Sequence, residues 1–494
     1  MTLTRADWEK RLEAATIRRD LFIDGRFVEA ASGERFVDTT PRDGSVLAEV
    51  AAAGEEDVDR AVRSGYRAFE SGVWSQADPQ DRKTVLLRFA ELIDEHREEL
   101  ALLESIDVGK PISDTLAVDV PKTARTIAWY AETIDKTYDE IAPAPRSALA
   151  LVTREPLGVI GAVVPWNYPL MITSWKLGPA LATGNSVVLK PAEDSSLSAL
   201  LLAELASQAG LPDGVLNVVP GLGPVAGAAL GRHDLVAKIA FTGSPEVGKR
   251  FLAYAAESNA KQVALELGGK SPQVVLGDVA DVARAANTIA WGIYYNAGQT
   301  CNAGSLVISE RPVREVLLDE IVRQTVDFVV GDPLDPATQV GPLANTAQRD
   351  RVARYLTVAA EEGGRFAVGG SVAEDSLFAQ PTVIENVTPG ARVAREEIFG
   401  PVLTFLDASD ADDAVRIANG GAYGLAASVW TRDVATAHRV ARRLRAGTVW
   451  VNTFDASDVI TPFGGFKDSG SGRDKSLHAI DAYTALKTTW LDLS

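Results

Sequence analysis

Cys301 is the only cysteine in a chain of 494 residues. A single thiol excludes a disulfide framework or a thiolate metal cluster within the chain, so Cys301 is either a nucleophile or a packing residue. Its neighbours over residues 296–304 are Asn, Ala, Gly, Gln and Thr rather than the apolar residues of a core strand. The flanking glycines allow a tight loop and the close approach of a substrate. This stretch alone leaves a reactive thiol and a buried structural one both open.

Two further stretches place charged groups at the ends of predicted strands. Glu266 follows an apolar strand and precedes a pair of glycines. A carboxyl group in a partly desolvated cleft has a raised pKa, which suits a general base. Lys190 and Glu193 follow another strand, where a glutamate can accept hydrogen bonds from a ribose diol. Each stretch also has a plainer interpretation as a solvated strand end.

The segment 241–249 follows a predicted strand and opens a predicted helix. Backbone N–H groups at such a helix start can face a phosphate. The spacing is close to that of the phosphate-binding loop of nucleotide triphosphatases, but Arg250 stands where that loop requires Ser or Thr for Mg²⁺. We therefore reject that class, and the spacing alone indicates a dinucleotide only weakly.

The composition narrows the range of partners. The chain has 67 acidic and 49 basic residues, and its net charge of −18 argues against nucleic acid as a partner. The four histidines show no metal-ligand spacing, so we expect no metal site. Residues 1–20 are not expected to form a signal peptide. Pro165 and Pro169 interrupt the uncharged stretch 157–175, so this stretch predicts a strand, a turn and a helix rather than a membrane span. A reducing cytoplasm is the expected location.

Strands and helices alternate along most of the chain, which predicts an α/β protein with doubly wound parallel sheets that bind ligands at the carboxyl ends of their strands. Residues 21–28 predict a hairpin, followed by helices at 55–71, 80–100 and 118–136 and a boundary over 137–151. A first block has strands at 159–164, 186–189, 215–219 and 238–241 and helices at 172–182, 197–208 and 225–230. A second block has strands at 273–276, 306–309, 402–406, 427–430 and 448–451 and helices at 279–295, 313–330, 346–362, 410–419 and 434–444.

Seven short motifs occur in one fixed order along the chain. They are Pro-Trp-Asn-Tyr-Pro at 165–169, Lys-Pro-Ala-Glu at 190–193, Phe-Thr-Gly-Ser at 241–244, Glu-Leu-Gly-Gly-Lys at 266–270, Gly-Gln-Thr-Cys at 298–301, Glu-Glu-Ile-Phe-Gly-Pro at 396–401 and Pro-Phe-Gly-Gly-Phe-Lys at 462–467. From residue 21 onwards, the chain thereby resembles the NAD(P)-dependent aldehyde dehydrogenase superfamily. The ending, residues 472–488, is most similar to the γ-glutamyl-γ-aminobutyraldehyde dehydrogenases.

The resemblance implies the aldehyde dehydrogenase fold, with NAD as cofactor. A Rossmann-like NAD-binding domain would comprise residues 1–136 and 154–266, and an α/β catalytic domain residues 267–476. Residues 137–153 and 477–494 would form a small oligomerisation extension in which the excursion near 137–153 pairs with the C-terminal tail. In this family such an extension bridges subunits, so we expect a homodimer or a homotetramer.

The resemblance also implies roles for individual residues. Cys301 would attack the aldehyde to form a thiohemiacetal and then a thioester, while Asn167 and the Cys301 backbone N–H hold the oxyanion. Glu266 would activate water, and its presence favours hydrolysis to a free acid over transfer to coenzyme A. Lys176 and Asp474 would relay protons from Glu266, although most of the family has Glu in place of Asp474.

Binding residues follow from the same motifs. The cofactor contacts would be Trp166, Lys190, Glu193, Gly243, Ser244, Gly248, Leu267, Glu397 and Phe399, with Glu193 favouring NAD over NADP. An aromatic tunnel of Tyr168, Trp175 and Phe463 would admit the substrate, and Asp119 and Asp458 would bind a distal amine.

The expected substrates are 4-aminobutanal and its γ-glutamyl derivative, because a carboxylate in an aromatic tunnel favours a cation. Both acids also have an interpretation as ordinary surface residues. A broad-specificity or betaine aldehyde dehydrogenase, a thiol esterase and a non-catalytic structural protein on the same fold are the alternatives.

Overall fold

The computed structural model describes residues 3–494. Two groups of mostly buried strands form the two main sheets of the protein. The strands in chain order are β1 (Leu21–Ile23), β2 (Arg26–Val28), β3 (Arg35–Thr39), β4 (Val46–Ala51), β5 (Glu140–Ala142), β6 (Ala148–Pro156), β7 (Val159–Val163), β8 (Ser186–Lys190), β9 (Leu216–Val218), β10 (Val236–Thr242), β11 (Gln262–Glu266), β12 (Pro272–Val275), β13 (Leu306–Glu310), β14 (Arg365–Val368), β15 (Thr382–Glu385), β16 (Val402–Ala408), β17 (Tyr423–Gly424), β18 (Ala426–Trp430), β19 (Thr448–Val451), β20 (Phe466–Lys467) and β21 (Thr484–Asp492).

Helices alternate with these strands along the chain. The α-helices are α1 (Arg5–Ala14), α2 (Glu55–Glu70), α3 (Pro79–Glu95), α4 (Arg97–Val108), α5 (Ile112–Asp114), α6 (Val120–Thr133), α7 (Pro169–Ala182), α8 (Leu197–Gln208), α9 (Ala228–Arg232), α10 (Pro245–Glu257), α11 (Val282–Tyr294), α12 (Arg314–Val326), α13 (Thr346–Glu361), α14 (Arg392–Arg395), α15 (Ala411–Asn419), α16 (Val434–Arg443) and α17 (His478–Ala482). Wider π turns precede α6 at Thr115–Asp119 and α9 at Gly223–Gly227, and 3₁₀ turns occur at Glu193–Ser195 and Tyr295–Gly298.

The first sheet has the strand order β11-β10-β7-β8-β9-β1-β2. Strands β7 to β11 are parallel, and the hairpin β1–β2 adds an antiparallel edge. The order reverses between β7 and β10, and ligands bind at such a switch point beyond the carboxyl ends of the strands. The segments that follow β7 and β10 contain Trp166, Asn167, Gly243 and Ser244, so the topology brings these predicted site residues together.

The second sheet has the order β14-β15-β16-β13-β12-β18-β19 and is parallel except for β14. Its central strands are buried along their length and pack against α11 and α12 in one apolar core. The Cys301 loop leads from α11 into β13, while β12 begins shortly after Glu266 ends β11 in the first sheet. The segment 267–271 therefore links the two sheets directly after Glu266, while the Cys301 loop lies within the part of the chain that forms the second sheet.

The predicted pairing between the excursion near 137–153 and the C-terminal tail is confirmed. Strand β21 pairs antiparallel with all nine residues of β6, and β6 also pairs with β5. Most residues of β21 are exposed, including the apolar side chains of Leu486 and Trp490. This three-stranded sheet stands apart from the two cores and presents an open, partly apolar surface.

The helical pattern is confirmed in outline and corrected in two places. The single helix expected over 80–100 is two helices, because His96 leaves helical geometry with φ −95° and ψ 21°, and the second helix continues to Val108. The helix expected over 118–136 begins at Val120 after the π turn Thr115–Asp119. The hairpin at 21–28 is confirmed, with Asp24 and Gly25 both at positive φ in its turn.

Candidate active site

The loop that carries Cys301 is held in a strained conformation. Asn296, Ala297 and Gly298 follow α11 with φ of 51°, 53° and 70°, a region that costs energy for residues other than glycine and occurs at functional sites. A side chain at position 298 could not fit, because its Cβ would lie 2.1 Å from the Gly400 carbonyl oxygen. The Gln299 side chain then fixes the loop by accepting a hydrogen bond from the Ala344 N–H at 2.9 Å.

Cys301 is partly buried. Burial raises the pKa of the Cys301 thiol well above its usual range, and the nearby carboxylates Glu397 and Glu266 raise it further. The thiol is therefore protonated at neutral pH. A nucleophilic role requires a group that accepts its proton.

Asn167 is fixed beside the Cys301 loop. Its Nδ2 donates to the Gln299 carbonyl oxygen at 2.8 Å, and its own carbonyl oxygen accepts from Asn296 Nδ2 at 3.0 Å. The side chain is only 3% exposed and lines the same cavity as Cys301. One N–H of the Asn167 amide stays available, which is what a donor to a developing oxyanion needs.

Glu266 ends β11 with both carboxyl oxygens buried and, among residues 3–494, without a hydrogen-bond partner. The side chain packs on glycine backbone, since a Cβ at Gly464 would lie 2.6 Å from Oε1. Burial raises the pKa of Glu266 well above its usual range, Asp474 raises it further, and Lys176 and Arg473 oppose the rise. A buried carboxyl group without partners is unusual, and it is suited to exchange protons with water or a thiol.

Lys176 and Asp474 form a buried ion pair that acts on Glu266. Lys176 Nζ lies 2.5 Å from Asp474 Oδ2, with the two side chains 1% and 5% exposed. Asp474 contacts the lysine directly, although most of the family has the longer glutamate at this position. Neither oxygen of Glu266 has a hydrogen-bond partner among residues 3–494, so the proton relay from Glu266 stays a prediction.

A cavity of about 190 Å³ lies on one side of Cys301. The predicted cofactor residues that line it are Trp166, Gly243, Ser244, Leu267, Glu397 and Phe399. Ser244 caps the N-terminus of α10, and a helix start of this kind binds phosphate. Glu397 accepts a hydrogen bond from the Gly269 N–H at 2.9 Å, and burial raises its pKa to about 7. This set of groups fits a dinucleotide.

Three predicted cofactor residues lie outside that cavity. Lys190 and Glu193 form an ion pair of 3.0 Å at the end of β8, and Glu193 accepts from the Gly223 N–H at 3.2 Å. These two residues fit a ribose beyond the cavity. Gly248 packs instead, because a Cβ there would lie 2.8 Å from the Leu267 side chain. Its smallness lets α10 approach β11.

Two residues of α13 that were not predicted from the sequence, Gln348 and Arg351, also line the cofactor cavity. The Arg351 guanidinium donates to the Ile398 carbonyl oxygen at 3.0 Å, and Gln348 donates to the Phe399 carbonyl oxygen. Phe399 itself has a φ of 62°. The two side chains therefore hold a strained loop in place. No local pattern within the predicted helix at 346–362 distinguishes them from surface residues.

A second cavity, of about 350 Å³, lies on the other side of Cys301. Tyr168, Trp175 and Phe463 line it as expected, together with the aromatic residues Trp291, Tyr295 and Phe454. The Tyr168 hydroxyl lies 2.8 Å from the Thr300 hydroxyl, next to Cys301. The cavity is an aromatic passage that leads to the thiol.

The expectation for Asp119 needs correcting. Its carboxylate is wholly buried outside this lining and lies 2.9 Å from Lys110 Nζ, whose ammonium sits 3.7 Å from the Tyr168 ring centre. Asp458 does line the cavity, but Arg125 Nη2 donates to both of its oxygens, at 3.2 and 2.9 Å. Of the two expected amine anchors, one is a structural ion pair and the other already has a cationic partner.

Cys301 and Ile172 are the residues that line both cavities. The thiol therefore lies where an aromatic passage meets the cleft lined by the predicted cofactor residues. The sequence profile described as the aldehyde dehydrogenase family matches residues 27–489. The chain belongs to the aldehyde dehydrogenase family. NAD is its cofactor and accepts the hydride when bound.

Relatives from several bacteria are similar over the whole chain. An aminoacetaldehyde dehydrogenase of Pseudomonas aeruginosa is 50% identical, covering 100% of this chain and 99% of the relative. A solved structure of a γ-glutamyl-γ-aminobutyraldehyde dehydrogenase from Burkholderia cenocepacia is 51% identical with a TM-score of 0.98, and the alignment covers all of both chains. The P. syringae indole-3-acetaldehyde dehydrogenase AldA, solved with NAD⁺ and IAA, is 50% identical with a TM-score of 0.98 and the same full coverage.

Two further findings concern residues 3–494. None of the helices there is both long and apolar enough to cross a membrane. No group of three or more His, Cys, Asp or Glu side chains is placed to hold a metal ion.

Proposed function

We propose that this aldehyde dehydrogenase oxidises aldehydes derived from amines, of the 4-aminobutanal and γ-glutamyl-4-aminobutanal type, to carboxylic acids. The observation that carries the proposal is the aromatic passage to Cys301, in which charged groups of both signs suit a substrate with polar groups at its far end. The charged residues of its lining are Lys122, Arg125, Asp455, Asp458 and Lys475. Two of the similar proteins are named for aldehydes that carry an amino or an amide group. Because Arg125 already pairs with Asp458, the γ-glutamyl derivative, which has no free terminal amine on its butanal chain, fits better than 4-aminobutanal.

In the proposed reaction, the thiol of Cys301 adds to the aldehyde carbon to give a thiohemiacetal, and Glu266 takes the thiol proton. The Asn167 amide and the Cys301 backbone N–H stabilise the oxyanion, an effect worth about 3–4 kcal/mol where one such donor has been removed in other enzymes. Loss of hydride leaves a thioester on Cys301. Glu266 then releases the thiol proton to solvent and, as a carboxylate again, deprotonates a water that attacks the thioester. The carbon–sulfur bond breaks to release the acid, and the proton taken from water restores the Cys301 thiol.

Glu266 is also the basis for proposing a free acid as the product. A carboxyl group with two unpartnered oxygens can accept a proton from water, and Lys176 and Asp474 beside it provide a charged pair through which that proton can be passed on. Transfer of the thioester to coenzyme A would not need a base at this position.

We further propose the division into an NAD-binding domain (1–136 and 154–266), a catalytic domain (267–476) and an oligomerisation extension (137–153 and 477–494). The sheet β5–β6–β21 supports a homodimer or homotetramer, because its outer strand exposes Leu486 and Trp490, 65% and 60% accessible, beside unpaired backbone groups. A cytoplasmic location remains part of the proposal.

One observation favours a second candidate substrate. Six aromatic side chains line the passage to Cys301 (Tyr168, Trp175, Trp291, Tyr295, Phe454 and Phe463). Stacked rings would accommodate an arylacetaldehyde, and one relative at 50% identity is named for indole-3-acetaldehyde.

Formation of NADH, followed by absorbance, tests the proposal. The aldehydes are 4-aminobutanal, γ-glutamyl-4-aminobutanal, butanal, indole-3-acetaldehyde and betaine aldehyde, with Cys301→Ala as the control. We expect the highest kcat/KM for the γ-glutamyl derivative and no turnover by the variant. Equal values for all five would leave an aldehyde dehydrogenase of broad specificity and discard the substrate assignment. No turnover with any of them by protein that binds NAD would favour the structural-protein alternative.

A further inference from the structure

The substrate cavity carries more basic than acidic side chains. Its lining includes Lys122, Arg125 and Lys475, against the carboxylates Asp455 and Asp458. The hydrogen bonds from Arg125 to both oxygens of Asp458 account for one charge of each sign. Within residues 3–494, no carboxylate oxygen lies within 4.0 Å of the ammonium of Lys122 or Lys475. Two cations therefore face the cavity without a direct partner.

One carboxylate, Asp455, shares its surroundings with both lysines. Burial raises the pKa of Asp455, while a hydrogen bond from Asn302 and the charges of Lys122 and Lys475 oppose that rise. Asn302 Nδ2 donates to Asp455 Oδ1 at 2.8 Å, so part of this carboxylate is already engaged. A single negative charge near two positive charges leaves an excess of one positive charge in the passage.

The backbone places Lys475 in the cavity at some cost in conformational energy. Lys475 and Ser476 have φ of 61° and 55°, so two consecutive residues other than glycine adopt the left-handed conformation. Hydrogen bonds fix them on both sides, between the backbones of Phe463 and Asp474 at 2.8 Å in each direction and from the Ser476 N–H to the Val459 carbonyl oxygen at 2.7 Å. Strain that the surroundings hold in place is common at ligand-binding positions.

The ammonium of Lys475 lies among aromatic rings. Nζ is 5.2 Å from the ring centre of Trp175 and 5.3 Å from that of Phe463, and the residue is 4% exposed. Burial lowers the pKa of Lys475 to about 8, against the opposing charge of Asp455. Ring faces compensate only part of the lost hydration of an ammonium group. A carboxylate entering through the passage would supply a charge-assisted hydrogen bond.

We propose that Lys475, together with Lys122, is a specificity-determining residue that binds a carboxylate at the far end of the aldehyde substrate. The inference rests on the proposed oxidation of amine-derived aldehydes and names the preferred members of that class, those that also carry a carboxylate. The γ-glutamyl derivative has such a group in its α-amino acid head, whereas 4-aminobutanal has only an ammonium group. The passage therefore favours an acidic or zwitterionic aldehyde over a purely cationic one.

Three aldehydes of matched length test this selectivity. Pentanal, 5-oxopentanoate and 4-aminobutanal share the same three methylene groups after the aldehyde and end in methyl, carboxylate and ammonium. We expect kcat/KM to be highest for 5-oxopentanoate and lowest for 4-aminobutanal. Lys475→Met should lower the value for 5-oxopentanoate about tenfold and change that for pentanal less than about twofold, where tenfold corresponds to about 1.4 kcal/mol. Lys122→Met should act in the same direction, and Lys10→Met, at an exposed position on α1, is the matched control.

The outcomes separate this inference from the proposed function. If Lys475→Met lowered kcat/KM equally for pentanal and 5-oxopentanoate, Lys475 would be structural and the inference overturned. If the wild-type enzyme preferred 4-aminobutanal over the other two, the inference would fail while the proposal of amine-derived substrates stood. If 5-oxopentanoate were preferred but γ-glutamyl-4-aminobutanal were poorer than pentanal, carboxylate recognition would stand and the proposed substrate class would fall. Lys475→Glu, which should favour 4-aminobutanal, checks the sign with a second variant.

Discussion

Removing either member of the ion pair between Lys176 and Asp474 should change the pKa of Glu266, in opposite directions. Asp474 raises that pKa, and Lys176 lowers it. We consider Lys176→Met and Asp474→Asn, which remove one charge each with little change in size. Since the pair is buried at 2.5 Å, each substitution also leaves the remaining charge without its partner.

The cost in stability follows from that burial. Removing one partner of a buried pair destabilises a protein by about 3–5 kcal/mol, because the other charge is left desolvated. At about 2–4 °C per kcal/mol for a domain of roughly 200 residues, the melting midpoint should fall by roughly 6–20 °C. The double variant Lys176→Met/Asp474→Asn should recover much of this loss, since it leaves no unpaired charge.

The pH dependence distinguishes a catalytic effect from the loss of stability. Glu266 acts as a base only when it is deprotonated, so activity rises as the pH passes its pKa. Asp474→Asn removes a charge that raises this pKa, so the rising limb of the kcat profile should move to lower pH. Lys176→Met removes a charge that lowers it, and the limb should move to higher pH.

The measurement is steady-state NADH formation across pH, together with the first-turnover burst, at a temperature where each variant is folded. It gives the position of the rising limb for each variant. Shifts in the same direction for the two variants, or no shift in either, would refute the assignment of Glu266 as the titrating base. Lys83→Met is the matched control, because Lys83 and Asp135 also lie 2.5 Å apart but at the surface. An exposed pair contributes about 0–1 kcal/mol and should leave the pH profile unchanged.

Four further predictions concern single positions. Glu193→Gln should improve kcat/KM for NADP relative to NAD, because it removes the charge that repels a 2′-phosphate. Asn167→Ala should lower kcat by roughly 10²–10³ with little change in NAD affinity measured by titration. Glu266→Gln should retain a first-turnover burst of NADH at high pH while steady-state turnover collapses. Trp490→Glu should shift the mass measured by light scattering towards the monomer, because it places a charge on the exposed face of β21.

Each of these four has an opposing result. An unchanged NADP to NAD ratio would exclude Glu193 from the ribose site, and normal kcat in Asn167→Ala would exclude it as an oxyanion donor. Equal loss of burst and turnover in Glu266→Gln would assign it to thiol activation rather than to hydrolysis. An unchanged mass for Trp490→Glu, with wild-type protein measured in parallel, would place the subunit interface elsewhere.

Much of the site could be predicted because it lies in segments of strong local pattern. Strands β7, β8 and β10 are mostly apolar and end at Val163, Lys190 and Thr242. Their position and the location of ligands at their carboxyl ends therefore followed from the sequence. The lone cysteine between glycines identified the second half of the site. The residues on these loops were predicted to form one site, and the topology places most of them close to one another.

The residues that were misplaced or missed depend on backbone geometry that the sequence does not announce. A helix of uniform pitch would place positions 119 and 122 on one face, but the wide turn Thr115–Asp119 ends at that point, and Asp119 turns inward to Lys110. Lys122, on the following helix, lines the cavity instead. Lys475 enters the cavity from a backbone in the left-handed conformation. A glycine or asparagine would have indicated that conformation in the sequence, but a lysine does not.

The location of Cys301 between two cavities has a practical consequence for chemical labelling. Since the chain contains no other thiol, a cysteine-directed reagent can modify one position per subunit, and the extent of labelling counts active sites directly. A slim reagent can approach from either cavity, so NAD analogues and aromatic aldehydes obstruct different routes to the same sulfur. Labelling rates with each ligand bound, and with both bound, would measure how far occupation of one cavity changes access to the thiol from the other.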